Sequence, residues 1–174
     1  SIQGACGVII GNSNLVTKVY FPREILPITH TLSGLFNTIF SYMIVFPMLV
    51  IFNIPLTINL LWLPIILIFQ TVLNLGFSLI VSSINVFFRD LEYLINVGLM
   101  ALYFMTPIMY NINILPLKYQ RILLFLNPMA GYSILYRDVT YYGTMPRLRL
   151  LCYLIFISIC ICGVGYVIFQ KLQK

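Results

Sequence analysis

The chain has 174 residues, of which 61% are hydrophobic and 8% charged, and its formal net charge is +6. Soluble domains carry about a quarter charged residues, so this composition excludes a soluble globule and predicts a chain that crosses a membrane several times. The basic residues are scattered in ones and twos and form no continuous basic face, which argues against nucleic-acid binding.

The first predicted element is part of a spanning helix at residues 1–11. This segment is apolar, and Gly4, Gly7 and Gly11 lie on nearby turns, which suits the closing half of a helix packed against a neighbour. The chain begins inside this apolar stretch without an initiator Met, so we expect a fragment or a processed chain.

A polar loop is predicted next, at residues 12–30. Arg23 and Glu24 are interleaved there with aromatic residues, and Pro22 and Pro27 prevent any long helix from running through it. There is room for a short helical segment between the two bends. These residues alone leave two interpretations open, a stiff wedge that seats in a partner protein and an anchor at the membrane interface.

Charge-free stretches predict full spans at 31–52, 60–84, 93–110 and 150–170. Each has close to the roughly 20 residues that a helix needs to cross the hydrocarbon core of a bilayer. Between residues 111 and 147, prolines divide the chain into apolar pieces that are too short to cross but suit interfacial or re-entrant helices. The expected fold is therefore all-α and polytopic, with four full transmembrane helices, a partial N-terminal one, and short re-entrant or gate helices before the last span.

The short pieces before the last span have more than one possible role. They could line or cap a pathway, or they could form a loop folded on the surface. Pro107, just before them, is equally a gate hinge or a simple kink. Arg89 and Asp90, in the polar island between the third and fourth spans, either contact a partner or only mark the end of a span.

The acidic residues all lie between the predicted spans, whereas an ion-driven carrier keeps a titratable group in mid-membrane. The sequence contains no phosphate-binding glycine-rich loop and no metal-hydrolase or serine-hydrolase motif. We therefore expect no enzyme, no cofactor and no metal site in this chain. Any energy for transport would come from another protein. The four acids are Glu24, Asp90, Glu92 and Asp138.

Four short motifs follow one another along the chain. They are KVYFPREILP at 18–27, NVFFRDL at 85–91, TPIMY at 106–110, and LNPM at 126–129 followed by Tyr136 and Arg137. Their order and positions resemble the permeases of ABC-2 type exporters, and most closely those that export teichoic acid, O-antigen or capsular polysaccharide. The resemblance covers essentially the whole chain.

The resemblance implies a six-span permease of the bacterial inner or plasma membrane. Residues 1–174 would form a single transmembrane domain that corresponds to about the C-terminal two-thirds and lacks the N-terminal part. The loop at 12–30 would be cytoplasmic and contact an ATPase subunit, with a second cytoplasmic turn at Arg89 and Asp90, and residues 111–147 would form gate helices on the outer side.

The implied function is ATP-driven export of a lipid-linked cell-surface polysaccharide. A homodimer of the permease would work with ABC ATPase subunits, which use ATP and Mg, among membrane lipids and without nucleic acid. An ABC-2 permease for a drug or another lipid, and a channel or scaffold that needs no ATPase, remain as alternatives. An aromatic pathway for sugar rings would explain many of the tyrosines, and so would an aromatic belt at the membrane interface.

The resemblance also assigns candidate site residues in two groups, with no catalytic residue and no metal ligand. The group expected to couple to the ATPase is Tyr20, Phe21, Pro22, Arg23, Glu24, Arg89 and Asp90. The group expected at the gate or pathway is Pro107, Tyr110, Asn127, Pro128, Tyr136 and Arg137.

Overall fold

A computed structural model describes residues 1–12, 22–54, 56–88, 90–108, 112–114 and 116–173. Within these ranges the chain forms helices and turns and no strand, which confirms the predicted all-α class. The α-helices are α1 (Ile2–Gly11), α2 (Ile25–Ile51), α3 (Leu63–Asn85), α4 (Leu91–Met105), α5 (Leu117–Leu126), α6 (Pro128–Thr140) and α7 (Leu148–Gln173). Short 3₁₀ helices lie at Ile58–Trp62 and Ile112–Ile114.

Three helical segments of the described chain are long and apolar enough to cross a membrane. They are Ile25–Ile51, Ile58–Asn85 and Leu148–Leu172, so the prediction of a polytopic membrane protein is confirmed. Helix α4 is shorter than predicted, with 15 residues. At 1.5 Å per residue it spans about 22 Å of a hydrocarbon core that is about 30 Å thick. The number of full crossings therefore stays a prediction.

Two predicted boundaries were wrong. The span expected at 93–110 ends at Met105, because Thr106 adopts extended backbone ahead of Pro107, as a residue before proline prefers. The loop expected at 12–30 already becomes helix at Ile25. Pro27 does not prevent this, because it lies in the first turn of α2, where the missing N–H would have no partner within the helix.

Three helix ends meet around α1. The amide of Asn85, at the end of α3, donates to the carbonyl of Cys6 over 2.8 Å. Gly4 faces His30 in the second turn of α2, and a Cβ on Gly7 would lie 3.8 Å from Glu92 in the first turn of α4. Helices α2 and α4 therefore begin where α3 ends, and we call this the Asp90 end of the bundle.

The opposite end, which we call the Asn127 end, carries the link between α2 and α3, the whole of α5 and α6, and the start of α7. Helices α3 and α7 run in the same direction and are in close contact, with Gly76 of α3 against the backbone of Cys162 and Gly165 against the carbonyl of Gly76. The main core joins α3, α6 and α7 through buried side chains. They are Ile66, Leu73, Tyr132, Leu135, Val139, Leu151 and Leu154.

Much apolar surface of the other helices stays uncovered. The most apolar window of α2 has none of its residues buried, and α4 has no buried residue at all. Phe40 and Met43 of α2 and Val97 of α4 are each more than 60% exposed. Contiguous apolar surface of this extent is rare on soluble monomers, so lipid or another membrane protein must cover it.

Candidate functional site

The residues predicted to couple to an ATPase, where they are described, lie at the Asp90 end. Pro22 and Arg23 are exposed and Glu24 is half-buried, just before α2 begins. Asp90 is exposed immediately before α4. Because α2 and α4 begin at the same end, the structure brings these two groups to one end of the molecule. The other three coupling residues lie outside the described residues: Tyr20, Phe21 and Arg89.

Two aromatic residues at this end were missed by the sequence reasoning. Phe87 and Phe88 follow α3 directly and are 59% and 69% exposed. They lie within the motif NVFFRDL, next to the charged pair that the prediction used. Exposed aromatic side chains beside charged ones suit either a protein interface or the membrane interface.

At the opposite end, Asn127 ties the start of α6 to the end of α4. Its Oδ1 accepts a hydrogen bond from the N–H of Met129 over 3.1 Å, which caps α6, and Pro128 occupies the first helical turn as it commonly does. Its Nδ2 donates to Thr106 Oγ1 over 2.9 Å and to the Leu102 carbonyl over 3.3 Å. Asn127 is 1% exposed, so these bonds are shielded from water.

Arg137 holds the segment that follows α4. Its Nη2 donates to the carbonyls of Pro107 and Ile108 over 2.6 and 2.9 Å. The neighbouring Asp138 points elsewhere and pairs with Arg147, with 3.4 Å between Oδ2 and Nε. Adjacent positions on a helix do not face each other, so Arg137 and Asp138 find separate partners.

Tyr136 connects α6 to two of the long helices. Its hydroxyl donates to Gln70 Oε1 in α3, and its ring centroid lies 6.1 Å from that of Tyr42 in α2. One turn earlier, the hydroxyl of Tyr132 lies 2.7 Å from Ser158 Oγ in α7. Polar side chains therefore join helix α6 to α3, α4 and α7, and a contact between aromatic rings joins it to α2. Tyr110, the remaining predicted gate residue, lies outside the described residues.

A groove of about 710 Å³ runs between α3, α4 and α6. This is within the usual range for small-molecule sites. Its wall is mostly apolar and includes Gly98 of α4, while three predicted gate residues, Asn127, Pro128 and Tyr136, also line it. Ile108 also lines the groove, and Arg137 donates a hydrogen bond to the carbonyl of Ile108. The groove leaves space along one side of α4.

Comparison with known proteins gives a consistent answer, although no family model matches the chain. An O-antigen export system permease protein RfbA of Klebsiella pneumoniae is 30% identical over 165 residues, which are 94% of this chain and 63% of the relative. A second RfbA of that organism is 28% identical over the same shares, and RfbA of Myxococcus xanthus is 26% identical over 100% of this chain and 67% of the relative. The chain is similar to O-antigen export permeases. The resemblance that the four motifs predicted is thereby confirmed, and the chain spans about 63% of the length of the first two relatives.

The turn after α6 packs on the link between α2 and α3. Thr57 Oγ1 and Asn59 Nδ2 both donate to the carbonyl of Gly143, over 3.2 and 2.6 Å. The sequence reasoning missed all three residues. The only local signal was a glycine shortly after a helix, which is typical of helix C-termini and says nothing about the distant partners.

Gly143→Ala should destabilise the chain by about 1–2 kcal/mol, since Gly143 has a φ of +60°, in the left-handed region that L-residues avoid. The added Cβ would also lie 2.9 Å from Thr57. Thermal unfolding in detergent measures the effect. Gly11→Ala is the matched control, because its Cβ would meet nothing within 4 Å. Equal melting temperatures for the two variants would contradict the prediction.

Asp138, close to the same turn, is the one acid in α6. It is 6% exposed. Burial raises the pKa of its carboxyl above the ordinary value, while the guanidinium groups of Arg147 and Arg137 act in the opposite direction. Folding therefore places this carboxyl where its charged form is disfavoured, although an arginine lies within ion-pair distance.

Proposed function

We propose that the chain is the permease part of an ATP-driven exporter that moves a lipid-linked cell-surface polysaccharide, such as O-antigen, across the bacterial inner membrane. The permease would act as a homodimer with an ABC ATPase, which binds ATP and Mg. The observation that carries the proposal is the similarity to O-antigen export permeases over 94% of the chain. The relatives' names favour this function over a drug permease, and over a channel or scaffold without an ATPase.

The arrangement of α4 supports a mechanism for coupling. Its start is next to Asp90 at one end of the bundle, and beyond its other end Thr106 is bound by Asn127 of α6. A helix is stiff along its axis, so a push on the Asp90 end would move the segment around Pro107. Because no residue of α4 is buried, the helix can shift without opening a packed core.

The two ends would then have different tasks. Pro22, Arg23, Glu24 and Asp90 would face the ATPase, together with Tyr20, Phe21 and Arg89. ATP-driven closure of the ATPase would displace these segments. The displacement would reach Arg137, which holds the carbonyls of Pro107 and Ile108, and would change how α4 lies against α6. The groove between these helices would widen or narrow accordingly.

The decisive test of the function uses the whole permease, purified with its own ATPase and placed in lipid vesicles with its glycolipid cargo. We expect the ATPase to co-purify and the glycan to become accessible across the membrane only when ATP and Mg are present. If the cargo crosses with nucleotide and ATPase both withheld, the proposal is wrong and a passive channel is favoured.

The coupling assignment has a sharper test. We expect Phe21→Ala combined with Arg23→Ala to reduce export about tenfold or more while membrane insertion stays normal, because a single buried aromatic or arginine anchor commonly contributes 2 kcal/mol or more to an interface. Glycan export per ATP hydrolysed is the quantity to measure.

A matched double variant is Phe36→Ala with Arg149→Ala. Phe36 is 59% exposed on α2, and Arg149 is exposed at the Asn127 end. This variant loses the same two side-chain types away from the proposed ATPase contact, so export should stay close to normal. Equal loss in both double variants would argue against a specific role for Phe21 and Arg23.

A further inference from the structure

A second cavity, of about 330 Å³, lies between α6 and the turn that leads to α7. It is separate from the groove beside α4, because the residues that line the two are different. Its polar wall contains two guanidinium groups, one carboxylate and two hydroxyl groups, and isoleucine side chains form the apolar part. The polar residues are Arg137, Asp138, Tyr142, Thr144 and Arg147.

Asp138 offers an acceptor in this cavity. The residue is only 6% exposed, and its Oδ2 has no hydrogen bond within the part of the chain that the structure describes. The 3.4 Å to Arg147 Nε is longer than a charge-assisted hydrogen bond, which is about 2.7–2.9 Å, and the Arg147 side chain is 58% exposed. A buried carboxylate oxygen is normally hydrogen bonded, so this one is available to a donor from a ligand.

The chemistry of the wall selects among ligands. A simple anion would be repelled by the Asp138 carboxylate, and a metal ion would be repelled by the two guanidinium groups. A ring with several hydroxyl groups suits the carboxylate and the guanidinium groups alike, because each hydroxyl can donate to the carboxylate and accept from an arginine. The volume is at the low end for ligand sites and leaves room for one sugar ring.

The aromatic and apolar groups complete the match. Tyr142 lines the cavity, and its ring packs edge-on against that of Tyr141 with the centroids 5.2 Å apart. Both tyrosines are about half exposed. A sugar ring carries apolar C–H faces between its hydroxyl groups, and such a face can lie against an aromatic ring or against Ile134.

We propose that this cavity binds one neutral sugar ring of the exported glycan. The inference rests on the proposed function for the identity of the ligand, and it adds a subsite at the Asn127 end, outside the predicted gate residues except Arg137. Asp138 would accept hydrogen bonds from ring hydroxyls, Arg147 would donate to them, and Tyr142 would contact the ring face.

The test is saturation-transfer NMR with the purified chain in lipid nanodiscs. The probes are the methyl glycosides of glucose, galactose, mannose, rhamnose and N-acetylglucosamine, each used alone. We expect saturation transfer to at least one glycoside. Asp138→Asn, which keeps the shape of the side chain, should reduce the transfer at least fivefold, and so should Tyr142→Ala.

Two control variants make the same chemical changes elsewhere. Glu92→Gln changes an exposed carboxylate to an amide at the opposite end, and Tyr119→Ala removes a tyrosine of α5 that is 59% exposed. Both should bind the glycoside like the unaltered chain. Tyr142→Ala also keeps the test valid if Asp138→Asn folds poorly, because Tyr142 is 49% exposed and lies in a turn.

The outcomes separate this inference from the proposed function. No transfer to any of the glycosides, or equal transfer in the cavity variants and their controls, would overturn the sugar site. A chain that binds a glycoside at Asp138 but never associates with an ATPase would overturn the export function and keep the site. A chain that associates with an ATPase and binds no glycoside would overturn the sugar site and keep the export function.

Discussion

Gly76→Ala and Gly165→Ala should each destabilise the chain by about 1–3 kcal/mol, the range for overpacking a close contact. A Cβ on Gly76 would lie 2.7 Å from the backbone nitrogen of Cys162, and a Cβ on Gly165 would lie 2.5 Å from the carbonyl oxygen of Gly76. The obstructing atoms belong to the backbone, so no side-chain rotation can relieve the clash. Helices α3 and α7 would have to move apart.

A matched glycine in α7 provides the control. Gly163 lies two positions before Gly165, and a Cβ there would meet nothing within 4 Å. Alanine has a helix propensity about 1 kcal/mol better than that of glycine, so Gly163→Ala should be neutral or slightly stabilising. Thermal unfolding in one detergent, followed by circular dichroism, compares the variants. If Gly165→Ala melts no lower than Gly163→Ala, the close approach of α3 and α7 is not as described.

The same interface supports the proposed transport path. The core that joins α3 and α7 also includes Tyr132, Leu135 and Val139 of α6. Separation of α3 from α7 would therefore loosen the helix that carries Asn127 and Arg137. We expect the glycine variants to lose export as well as stability, since the gate contacts depend on where α6 sits.

The apolar runs predicted the long helices well, because a membrane span must have enough consecutive apolar residues to cross the hydrocarbon core. The same apolar runs do not predict which helices contact each other. Gly4, Gly7 and Gly11 have the spacing expected of a packed face, yet a Cβ on Gly11 would face open space. Gly76 and Gly165, which do pack together, lie in helices distant along the chain.

The candidate site was predictable only where its cause is local. Asn127 followed by Pro128 is a typical helix start, and the structure gives Asn127 the capping role. Nothing in the sequence pattern links Asn127 to Thr106, or Arg137 to the carbonyl of Pro107. These contacts depend on how α4 and α6 meet in three dimensions. Asp138 stands beside Arg137 in the sequence, but only the structure shows that the two line a second cavity with Arg147 and Tyr142.

Asn127→Ala should have the largest effect on stability of any variant considered, about 2–4 kcal/mol. Loss of the helix cap contributes about 1 kcal/mol, and loss of the buried bonds to Thr106 and Leu102 contributes about 1–3 kcal/mol. Asn12→Ala is the control, because among the described residues the Asn12 side chain makes one hydrogen bond, to the carbonyl of Val8 in the helix that Asn12 follows. Its loss should cost less than about 1.5 kcal/mol.

A double-mutant cycle separates the cap from the contact with α4. Thr106→Val removes the hydroxyl that accepts from Asn127 and leaves the cap of α6 intact. If the contact joins the two helices, Asn127→Ala and Thr106→Val should be coupled by at least about 0.5 kcal/mol. Additive effects would mean that Asn127 acts only as a cap. In the assembled exporter, Thr106→Val should lower glycan export more than ATP hydrolysis, because the motion of α4 would no longer be transmitted fully to α6. Equal losses of export and hydrolysis would place the defect in the ATPase contact instead.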